Sequence, residues 1–468
     1  MPQAGHKVLD TSLLESILLI LVLGKLLGMG AERLGMPSIA GELLTGIILG
    51  PMMLGIIMPV PQGLGLDDPL GFMANLGIIF MMFIMGLSID IESVLKNNSR
   101  SAASITMFGA SIVLTFTTLI VLAIGTILGQ NFYYSLFQGL LIGVGLTSTS
   151  TIIGFKYLTD IGDRFSNVFK TLVAVEITDG IFSIMALAVL ISVVNRFAST
   201  SSGTSIDINA FLSQLGWSTF SLFLLMLGFI IFVIKFGGVV TDRLLGISRR
   251  SGNDQSIITF SLIVLFAVAA LSDWLQLTYV IGAFLAGAIL AGSPYSTTII
   301  EPKVKAIGYG LFIPIFFAYT GINMNFGALL SGPALRFFNM SIPYYLFLFL
   351  GLLIVVMVGK YIGTLLGCGL TGGFKNHEAN RIGFSLMCVG EDMLVIGQIG
   401  TTITLTHNGP PLITTELLSV IGLLVIVTSI IAPIFIKRSF TEKVYSPPMA
   451  PRTKTSLNGK PKGKTKSL

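Results

Sequence analysis

Long apolar runs, broken by glycine, proline and clusters of charge, repeat along the whole chain and give the first reading of its elements. Most of them are about twenty residues or longer, the length a helix needs to cross ~30 Å of hydrocarbon. Outer-membrane strands would instead read as stretches of about ten residues with alternating polarity. The pattern predicts about 13 transmembrane helices, at 12–33, 38–58, 70–89, 101–128, 132–156, 168–195, 209–235, 255–273, 276–295, 305–323, 343–369, 381–405 and 415–436. The fold class expected is an all-α polytopic membrane protein.

The sixth of these spans departs from simple apolarity. Thr171 to Leu190, TLVAVEITDGIFSIMALAVL, carries Glu176 and Asp179 near its middle. One ionised carboxylate at the centre of a bilayer helix costs roughly 2.5 to 3.5 kcal/mol on an insertion scale, so a pair marks function. Three residues apart on a helix, the two side chains share one face and can reach one cavity. That face is read as binding a small cation and a proton by turns.

Composition agrees with the pattern: the 468 residues are 53% hydrophobic and 11% charged, with a mean hydropathy of +0.89. A soluble domain is excluded. Cys368 and Cys388 lie in apolar surroundings without metal-ligand spacing and read as structural. His6, His377 and His407 fall in a tail or in short loops, which gives a histidine relay no support. Glu15 sits near the start of the first apolar run and no small-residue cleavage site follows, so that run reads as a retained helix.

The net charge of +6 suggests nucleic acid until its distribution is considered. With thirteen spans, one side of the membrane receives Arg33, Lys96, Arg100, Lys156, Arg164, Lys170, Lys235, Arg243, Arg249, Arg250, Lys303, Lys305, Lys375 and Arg381, and the other side Lys7, Arg196 and Arg336. The positive-inside rule accounts for this asymmetry. No nucleic-acid partner is needed. The expected setting is the cell membrane, with the N-terminus outside and the C-terminus cytoplasmic. Residues 443–468, rich in Lys, Pro, Ser and Gly, read as a basic disordered cytoplasmic tail able to rest on anionic lipid.

Two spans of the first half recur in the second. Gly41-Glu-Leu-Leu-Thr-Gly46-Ile-Ile-Leu-Gly50 reappears as Gly282-Ala-Phe-Leu-Ala-Gly287-Ala-Ile-Leu-Ala291, 241 residues on (282 − 41). Phe80-Met-Met-Phe-Ile-Met-Gly86 resembles Ile315-Phe-Phe-Ala-Tyr-Thr-Gly321, 235 residues on (321 − 86). Seven spans separate the members of each pair, so they point opposite ways: the plan of two inverted six-helix repeats. The same offset carries Ser148, within Thr147-Ser-Thr-Ser-Thr151, to Val389-Gly390-Glu391. Both are places where a membrane helix can break and turn polar groups into a cavity.

Alkali cations take hard oxygen ligands. Asp179 supplies the one formal charge, and Thr147, Ser148, Thr149, Ser150 and Thr178 supply neutral oxygens. Proton and cation then compete for one carboxylate, which is itself an exchange mechanism. Lys360, deep in the eleventh span and too far from either end to snorkel, predicts a pair with Glu176 or Asp179. Glu42 and Glu391 either line the cavity or pair with a basic residue such as Arg381. Lys25 reaches the interface.

At these residues the chain resembles the monovalent cation:proton antiporter superfamily, in the branch of bacterial and archaeal sodium/proton antiporters and the membrane domains of potassium efflux systems. The motifs are Leu34-Gly-Met-Pro37 with Gly41 to Pro51, Phe83-Ile-Met-Gly-Leu87, Gly282 to Gly287, Pro314-Ile-Phe-Phe317 with Gly321, and Gly390-Glu391. The resemblance implies a homodimer. It implies scaffold and dimerisation helices at 11–90 and 255–325, core transport helices at 101–195 and 343–437, and a linker helix at 209–235. It further implies that two broken core helices cross beside the ion site. On that pattern Asp179 is the ion-binding aspartate and Lys360 the core lysine of electrogenic members. Where the family carries two adjacent acids, or Asn or Gln before the aspartate, this chain has Thr178-Asp179. The lysine's usual acidic partner is therefore missing, and Glu176, one turn away, is the substitute on offer.

The function expected is a secondary-active monovalent cation (Na⁺ or K⁺)/proton antiporter working by alternating access. It is not an enzyme, and it carries no cofactor beyond the transported ions. A regulatory subunit is neither implied nor excluded. A sodium-coupled organic anion symporter of similar fold is the alternative within transport; an intramembrane protease using Asp179 and Asp392 is the alternative from another class.

Overall fold

The computed structural model describes residues 11–34, 36–58, 68–88, 99–151, 166–200, 254–275, 278–327, 334–337, 340–406 and 409–441, with isolated positions 154, 158, 228 and 235. The expected seventh span apart from 228 and 235, the tail after 442 and the loop positions Lys96, Lys156, Arg164, Arg243, Arg249 and Arg250 lie outside these. In chain order the helices are α1 (Thr11–Arg33), α2 (Ser38–Leu49), α3 (Pro69–Leu87), α4 (Ser99–Ile127), α5 (Phe132–Thr147), α6 (Asn167–Thr200), α7 (Asp254–Trp274) and α8 (Tyr279–Ala291). They continue with α9 (Glu301–Ile307), α10 (Ile313–Ile322), α11 (Tyr344–Thr371), α12 (Asn376–Ser385), α13 (Asp392–Gly400) and α14 (Thr415–Thr441). Among the described residues, eight helical stretches are long and apolar enough to cross a membrane. The helical class holds, with one addition: β1 (Ala334–Phe337) and β2 (Met340–Pro343) form an antiparallel hairpin ahead of α11.

Local chemistry sets several boundaries. Asp68 caps α3, its Oδ1 accepting from the Gly71 N–H at 2.9 Å, and Pro69 begins the helix where no N–H is needed. Asn131 caps α5 through the Tyr133 N–H at 2.9 Å. Gly372, with φ of 65°, closes α11 in the left-handed conformation that glycine adopts without strain. The second span was expected to run to 58, yet α2 stops at Leu49: Gly50 leaves the helix and Pro51 follows, which disfavours helical backbone before it. Ser296 to Ile322 is one continuous stretch in which π-helical turns at Ser296–Ile300 and Gly308–Phe312 flank α9.

The helices fall into two packed groups. α1, α2, α3, α7, α8 and α10 contact one another, while α4, α5, α6, α11, α12, α13 and α14 form the second set. Glycines set the closest crossings of the first group, since helix backbones approach nearest where no side chain intervenes. A Cβ on Gly321 would strike Leu43, Gly46 and Ile47, and one on Gly86 would strike Phe284, Gly287 and Ala288. Those two triplets are 241 residues apart throughout. Likewise Gly41 abuts Leu27 and Gly28, and Gly282 abuts Val268 and Ala269, at the same offset. The segments matched in sequence thus occupy equivalent packing positions, and α2 on α10 repeats as α8 on α3.

Outward faces are apolar. Leu350, Ile354, Val358, Ile362, Leu366 and Leu370, four residues apart along α11, are all exposed, a stripe suited to hydrocarbon. Lys360 lies on the buried face of the same helix, with 4% of its surface exposed.

Candidate functional site

Two interrupted helices meet at the centre of the second group. α5 ends at Thr147, and Ser148 leaves it with extended backbone (φ −62°, ψ 140°). α12 ends at Ser385, and α13 begins at Asp392. Between these ends the chains pair: Thr149 forms an antiparallel bridge with Val389, Ser150 N–H donates to the Cys388 carbonyl at 3.1 Å, and Gly390 N–H donates to the Ser148 carbonyl at 3.3 Å. The two breaks expected from the hydroxyl run and from Gly390 are therefore present, and they satisfy each other's backbone groups where water is scarce.

Asp179, on α6, is 7% exposed. Its Oδ1 accepts from Thr106 Oγ1 of α4 at 2.5 Å, and its Oδ2 accepts from Thr149 Oγ1 at 2.5 Å. Lys360 Nζ donates to the Ser148 carbonyl at 2.5 Å and to Thr149 Oγ1 at 3.1 Å. The direct ion pair expected between Lys360 and Asp179 or Glu176 is not formed. Thr149 stands between lysine and aspartate instead, its proton on one and its lone pair toward the other, because the extended segment passes between α6 and α11. The arrangement leaves a buried carboxylate compensated by hydroxyl dipoles and by a cation one atom removed.

The other candidates distribute around this centre. Ser148 Oγ donates to Asp392 Oδ2 at 2.7 Å. Ser150 is buried, and its Oγ has no partner. Thr147 Oγ1 and Thr178 Oγ1 donate back to their own helices, to Val144 and Ala174 carbonyls, each at 2.7 Å. Such back-bonding occupies the proton and leaves the oxygen's remaining lone pair. Glu176 is half-buried; it faces Thr151 and lies within electrostatic range of Glu391 and Asp392. Sharing a helix face with Asp179 has thus not given it a share of Lys360. Glu391, also half-buried, joins Glu42 and Glu176 within electrostatic range of Tyr309. The basic neighbour of Glu42 is Lys25, not the Arg381 considered from sequence, whose Nε donates to the Ser439 carbonyl at 3.5 Å.

Two residues at the centre were not assigned from sequence. Thr106 was one threonine among many, although its place four residues from both Ala102 and Ala110, all three buried, puts it on the inward face of α4. Asp392, 5% exposed, was read only as part of the helix interruption and as a protease aspartate. It does not face Asp179, since Ser148 and Thr149, successive residues of an extended segment, turn their hydroxyls to the two acids separately.

Comparison with known proteins points to one family for the chain. The family model described as "Sodium/hydrogen exchanger, transmembrane" matches residues 18–441. The chain is 30% identical to the Na⁺/H⁺-K⁺ antiporter GerN of Bacillus cereus, over 91% of this chain and 96% of that protein. It is 25% identical to a Na⁺/H⁺ antiporter of Enterococcus hirae, over 89% of this chain and 94% of the other. The sodium proton antiporter MjNhaP1 of Methanocaldococcus jannaschii has a similar fold, with a TM-score of 0.58, 17% identity, and coverage of 92% of this chain and 96% of that one. This chain belongs to the transmembrane sodium/hydrogen exchanger family.

Proposed function

We propose that this chain exchanges a monovalent cation, Na⁺ or K⁺, for protons across the membrane, and that cation and proton take turns on Asp179. The observation that carries the reading is a carboxylate 7% exposed, at the meeting of two interrupted helices, held by two hydroxyls and by no ion pair. A cation arriving there finds Asp179 for charge and Thr149 and Thr106 for neutral oxygens. To use Thr149 fully it must take the lone pair that now accepts from Lys360. Cation entry therefore displaces the ammonium from Thr149 and leaves it on the Ser148 carbonyl. A proton on Asp179 neutralises the carboxylate without taking that lone pair, so the two ligands exclude one another at one group while differing in what they do to Lys360.

The two packed groups of helices support a reading by alternating access. The group carrying Asp179 is the core that moves, and the group joined by glycine crossings is the scaffold, with the two halves inverted copies of one another. The chain works as a homodimer in the cell membrane, N-terminus outside and C-terminus cytoplasmic, in contact with lipid. The test is dissipation of a pH gradient in proteoliposomes on adding Na⁺, K⁺ or Li⁺, with wild type beside Asp179→Asn. Loss of exchange in the variant is expected. Equal rates would remove Asp179 from the mechanism.

A further inference from the structure

The paired segments at the helix breaks have two faces, and Asp179 uses one of them. In an antiparallel bridge, residues directly opposite point to the same side and neighbours along a strand alternate. Thr149 and Val389 share the face toward Asp179. Ser148, Ser150, Cys388 and Gly390 share the other. On that second face Ser148 Oγ donates to Asp392 Oδ2, and Gly390 leaves room for it, because a Cβ there would lie 2.5 Å from Ser148 Oγ. Two oxygens on this side, Asp392 Oδ1 and Ser150 Oγ, are buried with no hydrogen-bond partner among the described residues, in residues 5% and 4% exposed. Leaving such groups unpaired in the interior is costly, the more so for a charged one, so the site is suited to a ligand that fills it.

The ligand's chemistry follows from the donors. A carboxylate oxygen and a serine hydroxyl with free lone pairs, joined by Ser148 Oγ, are hard oxygen ligands suited to a small cation. The charges that face Asp392 are Glu391, which adds attraction, and Lys360, which opposes it from its place on the Ser148 carbonyl. Glu176 adds a further negative charge within range of both acids. Cys388, the remaining side chain on this face, turns its Sγ to Ser429 Oγ at 3.5 Å and leaves the oxygens to the ligand.

We propose that Asp392, Ser148 and Ser150 form a second station for the monovalent cation, across the extended segment from Asp179. The cation then has a site on each face of residues 148–150, and the stretch of chain that separates them is the one that Lys360 holds. The proposal rests on the reading of this chain as a cation/proton antiporter, and its test is arranged so that the two fail separately.

The experiment is equilibrium binding of ²²Na⁺ and, in parallel, ⁸⁶Rb⁺ as a potassium surrogate to the purified full chain in detergent, by scintillation proximity. Asp179→Asn is expected to retain binding of one of these ions, and Asp392→Asn added to it to weaken that residual binding at least tenfold. Two substitutions that keep every charge accompany the pair: Ser150→Ala and Gly390→Ala, each in the Asp179→Asn background, are expected to weaken residual binding severalfold. Their migration as monodisperse protein guards against misreading an unfolded double variant. Absence of binding in Asp179→Asn overturns the station, and would mean that water satisfies the two oxygens. Residual binding unchanged by Asp392→Asn or by Ser150→Ala overturns it as well. Transport by Asp179→Asn, measured in vesicles from the same preparation, bears on the antiport reading alone.

Discussion

Thr149 is the residue on which the exchange reading can be pressed hardest, because one oxygen serves both sides of it. Thr149→Val keeps the branched shape and removes the hydroxyl. The lost proton donor to Asp179 Oδ2 is lost equally from the empty and cation-bound states, so that part cancels in an affinity. The lone pair counts in both states, but unequally: in the empty state it is a second acceptor for Lys360, at 3.1 Å beside the Ser148 carbonyl at 2.5 Å, whereas in the full state it would ligate the cation. An interaction of a neutral oxygen with a charged partner is worth about 1.5 to 3 kcal/mol net. That sets the ceiling, since the lost bond to Lys360 offsets part of it: at about 1.4 kcal/mol per tenfold, the half-saturating cation concentration should rise, by up to roughly 100-fold. Thr149→Ser retains the oxygen and should stay within severalfold of wild type. Thr106→Val removes the other neutral oxygen proposed for the cation, one with no bond to Lys360, and should also raise half-saturation. The assay is pH-gradient dissipation in proteoliposomes against cation concentration for all four proteins. A Thr149→Val chain with wild-type half-saturation, or a serine variant no better than the valine, would refute the shared-oxygen argument.

Two further expectations concern the frame that holds the site. Gly46→Ala and Gly321→Ala each place a methyl group against the backbone of the facing helix, where no rotamer change relieves the overlap; each should cost about 1 to 3 kcal/mol and lower the melting temperature of the detergent-purified chain, whereas Gly369→Ala, with nothing within 4 Å of its Cβ, should leave it unchanged or slightly raised. Tyr319→Phe removes the hydroxyl that donates to Asp68 Oδ2 at 2.6 Å and should cost about 1 kcal/mol. Asp68→Ala, which also loses the cap on α3, should cost more, about 1 to 3 kcal/mol in all, read by the same melting curves.

What was legible in the sequence, and what was not, divides along a physical line. Hydrophobic runs located the described spans to within a few residues, because length and apolarity are what a bilayer selects. They overran at α2, where Gly50-Pro51 leaves the helix while the chain stays apolar, and at the fifth and twelfth spans, whose breaks were legible in the hydroxyl run and in Gly390 rather than in apolarity. The glycine repeats read as a match between halves proved to be contact points, since glycine in a membrane helix is kept where another backbone comes close. Asp179 and Lys360 announced themselves by cost, as charges in hydrocarbon do. Their neutral partners did not. Thr106 and the face of Asp392 depend on which side of an extended segment a hydroxyl takes, and that side is fixed by a bridge between residues 240 positions apart in sequence (389 − 149).

The pairing expected for Glu176 failed for the same reason, and the failure bears on mechanism. Proximity along α6 put Glu176 beside Asp179, and the helix does carry both toward the crossing segment. The partner of Asp179 was then chosen by the crossing segment itself, whose Thr149 hydroxyl reaches it, while Thr151 Oγ1, near Glu176, makes no hydrogen bond among the described residues. Lys360 reaches that segment at Ser148 and Thr149, so its position reports on Asp179 through Thr149 and on Asp392 through Ser148. Ser148 thus links the lysine to Asp392, an acid contributed by the other half of the chain. A site built this way is assembled only when the two interrupted helices are in register, so a shift of either break alters the ligands of both acids at once.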